Sequence, residues 1–174
     1  MNRIRNLLGV NDKLHHIVVA QYKRADYTVG SEENFHWAII VLETINGEEL
    51  EGPCYQVFDR HYNDDRGVVW NLFHKPVSLG RTDKCLGGVV IGTIKRKELE
   101  ELDQILTAHH PVVKFDGWNC RDWVIEVIQL LRAKGWIHAE ITEQTTLLPS
   151  LRIASAASDT ARKPSIATLQ VKQE

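Results

Sequence analysis

The feature that most restricts the fold is residues 35–42, FHWAIIVL, an almost unbroken apolar run of strand length that follows the turn-forming cluster Gly30-Ser31-Glu32-Glu33-Asn34. A run of this length and composition is expected to be a central strand. Asn46-Gly47 is a good hairpin-turn dipeptide, and residues 54–59 (CYQVFD) are the natural return strand, so the two segments are expected to pair antiparallel. Residues 15–23 (HHIVVAQYK) read as a β-branched strand, and residues 68–73 (VVWNLF) and 86–94 (LGGVVIGTI) as two more, with Gly80 and residues 81–84 as the loop between them. Glycine inside a strand often marks a bulge or a close approach of backbone, and the last segment carries Gly87, Gly88 and Gly92.

Two stretches have helical spacing. Residues 97–107 carry Leu99, Leu102, Ile105 and Leu106 and stop ahead of His109-His110-Pro111. The clearer helix has Cys120, Trp123, Val124, Val127, Ile128 and Leu131 on one stripe, with Arg121, Asp122, Glu126, Gln129 and Arg132 mostly on other faces. Asn119 is a natural N-cap and Gly135 sits where a C-terminal cap belongs, which puts Cys120 in the first helical turn. The expected class is α+β, an antiparallel sheet of about four or five strands with the Cys120 helix packed across it and the 97–107 helix beside it. Residues 1–145 are expected to form one domain, opening on a loosely held lead-in of about thirteen residues. From about Thr145 the chain turns rich in Ser, Ala and Thr, so residues 146–174 are expected to be a flexible C-terminal tail.

Bulk properties narrow the function classes. An apolar share of 43% and a charged share of 25% in 174 residues are ordinary for one globular core. A formal charge of −2 provides no global field for a polyanion, so nucleic acid is not an expected partner. The first residues have no sustained apolar segment, and no stretch approaches the roughly 18 apolar residues of a membrane span. A soluble, cytoplasmic protein without a membrane span is the expectation. Cys54, Cys85 and Cys120 are an odd count without CxxC spacing, against both a disulfide framework and a zinc ribbon.

The first turn of a helix carries partial positive charge from its unpaired N–H groups, which favours a thiolate over a thiol. Cys120 is therefore where a cysteine becomes nucleophilic, although a small core residue on an apolar stripe would look the same. His36 shifts the weighting, because it opens the most apolar strand of the chain, beside Trp37, where an imidazole has little reason to be without a partner. Cys120 and His36 together supply a nucleophile, a base and helix N–H groups near a developing oxyanion. Cys54 and Cys85, away from any helix start, are expected to be ordinary thiols. The functional reading requires the Cys120 sulfur to meet the imidazole and to open onto a cleft.

FHWAIIV at 35–41 and WNCRDWVIEVIQLLRAKG at 118–135 resemble the His-strand and Cys-helix motifs of the circularly permuted papain-like superfamily, whose NlpC-type, lecithin:retinol acyltransferase-like and PPPDE deubiquitinating branches share the order strand-His then helix-Cys. A closer resemblance is to an uncharacterised family of small, mostly fungal proteins with a Tyr-His-Trp-Ala strand, a Tyr-His strand, an Ile-Gly segment and a Trp-Asn-Cys helix. It covers roughly residues 15–138, and Ile91-Gly92 and Trp118-Asn119-Cys120 fit it best. The resemblance implies a thiol-dependent hydrolase or acyltransferase that passes a Cys120 thioester to water or an amine. The substrate would be an acyl, peptide or small-metabolite compound, and no cofactor is implied.

This chain departs from the pattern at the orienting position, since the Tyr-His of the second strand falls on Tyr55-Gln56. Gln56 can fix the imidazole tautomer but cannot supply charge. Asp59 is the competitor, and strand alternation puts the two on opposite faces. Trp37, Trp118 and Asn119 are candidates for walling a substrate site. Metal binding is not expected: neither His15-His16 nor His109-His110 can chelate from adjacent strand positions, and no zinc spacing accompanies them. His61 among Asp59, Asp64 and Asp65 reads as a solvated loop. The alternative to an enzyme is a non-catalytic binding or regulatory module on a degenerate papain-like scaffold.

Overall fold

The computed structural model describes residues 13–45 and 50–169. The apolar run forms strand β2 (His36–Leu42), which lies inside a six-stranded sheet of order β4-β3-β2-β1-β5-β6. On one side all of β2 pairs antiparallel with β1 (Leu14–Tyr22), from His16 opposite Leu42 to Tyr22 opposite His36. On the other side it pairs antiparallel with β3 (Glu51–His61), as expected, but only through Ile39 opposite Tyr55 and Ile40 opposite Cys54. The Asn46-Gly47 turn lies outside the described residues. β2 lacks alternation because both of its faces are covered: Trp37, Ile39 and Val41 join the main core, and Ala38, Ile40 and Leu42 join a smaller one with Val18, Cys54 and Leu79.

β3 continues antiparallel into β4 (Val68–Ser78) at the sheet edge, and β5 (Cys85–Lys95) flanks β1. The glycines of β5 mark both features expected of them. The register between β1 and β5 shifts at Ile17/Val18, and a Cβ on Gly92 would lie 2.0 Å from the Trp136 carbonyl oxygen. Helix α1 (Leu99–Ala108) follows a 3-10 turn at Arg96–Glu98, and α2 (Cys120–Ala133) starts and stops where its caps predict. Gly135, at φ 79°, donates its N–H to the Arg132 carbonyl while Trp136 donates to that of Leu131, a Schellman closure. All the helices contribute to the main core through Leu102, Leu106, Trp123, Val127 and Leu151.

Two expectations are corrected. The sheet has six strands, not four or five, and is not wholly antiparallel, because β6 (Ile166–Thr168) pairs parallel with β5. Residues 146–174 are not a flexible tail where described, since Gln144–Ala161 forms helix α3, which packs on the sheet and leads into β6. Composition hid this helix because its buried face combines Leu147, Leu151 and Ala154 with Ser150, Ser155 and Ser158. A serine hydroxyl can be buried at little cost once it is bonded. Ser158 donates to the Ala154 carbonyl at 2.6 Å and accepts from the Ser165 N–H at 2.9 Å, and Ser155 donates to the buried Glu32 carboxylate. Small side chains also let the chain approach Gly87, where an added Cβ would stand 2.6 Å from the Ser158 hydroxyl. No helix among the described residues is long and apolar enough to cross a membrane.

Leu151 is completely buried, so Leu151→Ala is expected to cost about 2–5 kcal/mol of unfolding free energy in urea titration. A change within about 0.5 kcal/mol would be the behaviour of a tail and would remove α3 from the core.

Candidate active site

The start of α2 is fixed by a reciprocal cap. Asn119 Oδ1 accepts from the Arg121 N–H at 3.0 Å and from the N–H of Asp122, while Asp122 Oδ2 accepts from the Asn119 N–H at 3.0 Å. Cys120 is therefore the first residue of the helix, as the caps predict. A side-chain bond ties this turn to the sheet, with Arg121 Nη1 donating to the Phe35 carbonyl at 3.0 Å, one residue ahead of β2.

His36 stands at that end of β2, directly opposite Tyr22 of β1, with their rings 6.2 Å apart. Continuing the register from Ile39–Tyr55 and Ile40–Cys54 sets Gln56 opposite Ala38, which makes it the diagonal neighbour of His36 on the same face. The bond forms: His36 Nε2–H donates to Gln56 Oε1 at 2.6 Å. With Nε2 carrying the proton, Nδ1 remains as an acceptor, and the ring is near enough to Cys120 to draw its thiol down. Because the β2–β3 ladder is confined to two residue pairs, the Trp37 N–H is free to donate to the same sulfur. Arg24, two residues beyond the end of β1, brings Nη2 to 3.8 Å from Cys120 Sγ.

The three cysteines occupy different electrostatic settings. Burial pushes Cys54 up to about 12 and Cys85 up to about 11. Burial also pushes Cys120 up, but the His36 hydrogen bond, the His36 charge, the Trp37 N–H and the Arg121 charge outweigh it and hold this thiol below its ordinary value. One expectation is not met. The sulfur opens onto no cleft, because Cys120 is 0% exposed and belongs to the main apolar core; His36, the Trp37 N–H, Arg24 and Arg121 are the polar groups that reach it.

The remaining candidates fall in different places. Asp59 is turned away from His36 and accepts from His61 Nε2 at 2.7 Å on the exposed end of β3, so of the two candidate orienting groups Gln56 is the one in contact. Trp37 is 0% exposed in the main core and walls no surface. Trp118 is buried too, edge-on to Trp70, and its indole N–H donates to Glu126 at 2.8 Å. Asn119 is engaged at both ends of its amide, since Nδ2 donates to the Gly117 carbonyl at 2.9 Å. Glu126 gathers the segment before α2, accepting from His109 and Trp118 and pairing with Lys114, each at 2.8 Å. Burial raises its carboxyl, but these partners, Lys114 first, bring it below the ordinary value. Sequence reasoning missed Arg24 and Tyr22. Tyr22 ends a strand that was recognised, and only the β1–β2 register sets it against His36; nothing local to Arg24 marks it.

The chain belongs to a family described as "Family of unknown function (DUF6914)", whose sequence pattern matches residues 14–147, from β1 to the first turn of α3. No curated protein and no solved structure matches the chain.

The alkylation rate of Cys120 by iodoacetamide, followed by mass spectrometry against pH, is expected to have its midpoint below pH 9.0, the ordinary thiol value, because a lowered pKa fills the thiolate form earlier. His36→Ala leaves burial less opposed, so the midpoint moves up and the rate at pH 7 falls about tenfold or more. Cys54 and Cys85 are expected to stay unreactive across the same range. A Cys120 profile that does not move on His36→Ala would show that the pair does not set the thiol.

Proposed function

We propose that the chain is a cysteine-dependent hydrolase or acyltransferase on a permuted papain-like scaffold, with Cys120 as nucleophile, His36 as base and Gln56 as the positioning residue. One observation carries this reading: the helix turn that Cys120 opens is tied to the start of β2, where His36 is held by Gln56 at 2.6 Å, and beside that ring Cys120 is drawn down while Cys54 and Cys85 are pushed up. In this mechanism the His36 ring takes the thiol proton and the sulfur lone pair forms a C–S bond to an acyl carbon. The carbonyl electron pair moves to oxygen, then returns to expel the leaving group, which takes the proton from His36. The Cys120 thioester that remains passes its acyl group to water or to an amine. Gln56 keeps the ring in one tautomer through both steps.

Complete burial of the sulfur and an uncharged orienting residue favour a second reading, a binding or regulatory module on the same scaffold that does not turn over. The two separate on acylation. With p-nitrophenyl acetate, acyl-thioester and peptide electrophiles, the enzyme reading expects one acyl adduct on Cys120 that then decays, none on Cys120→Ser, and acylation about 10²–10⁴-fold slower on His36→Ala. Gln56→Ala is expected to lose up to about 10²-fold by misorienting the ring, with Gln56→Glu recovering part of it. An intact, folded protein that takes no acyl group from any of the three electrophile classes belongs to the second reading.

A further inference from the structure

Among the described residues the Arg24 guanidinium has one hydrogen-bond partner, the Cys120 sulfur. Arg24 lies in the exposed stretch 23–30, yet it reaches a sulfur that is 0% exposed, and so covers it on that side. It also stands close enough to Arg121 for the two like charges to disfavour one another. Arg121 is committed elsewhere, with Nη1 on the Phe35 carbonyl and Nε on Gln144 Oε1 at 3.1 Å. The Cys120 sulfur, Asp122 and Glu33 offset the charge of Arg121, and the sulfur is the group to which Arg24 donates.

The cap bears on where an oxyanion could be stabilised. An acyl-transfer site needs donors aimed at the oxygen that becomes negative, and in a helix-borne cysteine site the first-turn N–H groups are the usual supply. Here the N–H groups of Asn119, Arg121 and Asp122 are engaged by the reciprocal cap, and that of Trp123 donates to the Asn119 carbonyl at 3.1 Å. That leaves the Cys120 N–H as the first-turn backbone donor. When the sulfur bonds to a carbonyl carbon, the new oxyanion is two bonds from Sγ, in the shell where Arg24 Nη2 stands at 3.8 Å.

We propose that Arg24 is a catalytic residue of this site, swinging off the thiolate as substrate arrives and donating to the oxyanion alongside the Cys120 N–H. The inference rests on the acyl-transfer reading above. No proton moves in this step: the guanidinium stays charged, and it releases the oxygen when the C=O bond re-forms and the leaving group departs.

Alkylation and acylation separate the possible roles, because displacement of iodide by a thiolate builds no oxyanion whereas attack on an ester does. At a pH above the titration of the thiol, Arg24→Ala is expected to alkylate with iodoacetamide as fast as the parent protein or faster, since the sulfur is uncovered. Its acylation by p-nitrophenyl acetate is expected to fall about 10²–10³-fold, in kcat and not in KM, with Arg24→Lys in between. A far-UV circular dichroism spectrum and a thermal midpoint matching the parent's show that the variant is folded; without them the two rates are not compared. Equal factors in both reactions, or faster acylation on Arg24→Ala, overturn the proposal while leaving Cys120 and His36 as the reacting pair. A parent protein that alkylates but is not acylated overturns the acyl-transfer reading itself, and this inference with it.

Discussion

The molecule's chemistry depends on how firmly the first turn of α2 is held. Two carboxylate and amide bonds close on each other around Asn119 and Asp122, and a third contact runs from Arg121 to the backbone just ahead of β2. Helix and strand start are thereby locked together, which sets Cys120 and His36 in one neighbourhood. Each carries a cost in isolation: a buried thiolate loses hydration, and a histidine beside an apolar strand loses hydrogen bonds. Brought together, each supplies the partner the other lacks.

Much of this was legible in the sequence because it is local. Asn119 and Gly135 delimit α2 by backbone chemistry that acts within one turn, and 3.6-residue periodicity marks its buried stripe. β2 was recognisable from apolar content alone. The opposition of Gln56 and Asp59 followed from strand alternation, and the choice between them needed the register, in which Gln56 becomes the diagonal neighbour of His36.

What could not be read belongs to long-range geometry or to residues whose burial depends on their partners. α3 looks like a solvated segment until each serine is seen with its acceptor, and β6 pairs with β5 only because that helix returns the chain alongside it. Arg24 is one cation among many until the end of β1 is seen to deliver it to the sulfur. The closure of the site was equally invisible, since no local pattern reports whether a side chain from a neighbouring loop lies across a thiol.

The contacts made by Glu126 distinguish the two segments that border the thiol. The stretch running into α2 is riveted to that helix by a histidine, a lysine and an indole on one carboxylate, and by the Trp123 indole N–H on the His109 carbonyl at 3.0 Å. The stretch leaving β1 is exposed, and is held by short backbone turns, a 2.8 Å bond from the Lys23 N–H to the Lys84 carbonyl, the Gly30 N–H on Glu32 Oε1 at 2.8 Å and the Arg24 contact with the sulfur. Stiffness around the sulfur is thus lopsided, and any rearrangement that uncovers it meets least resistance on the β1 side, where one arginine stem can rotate without disturbing the helix that carries Cys120.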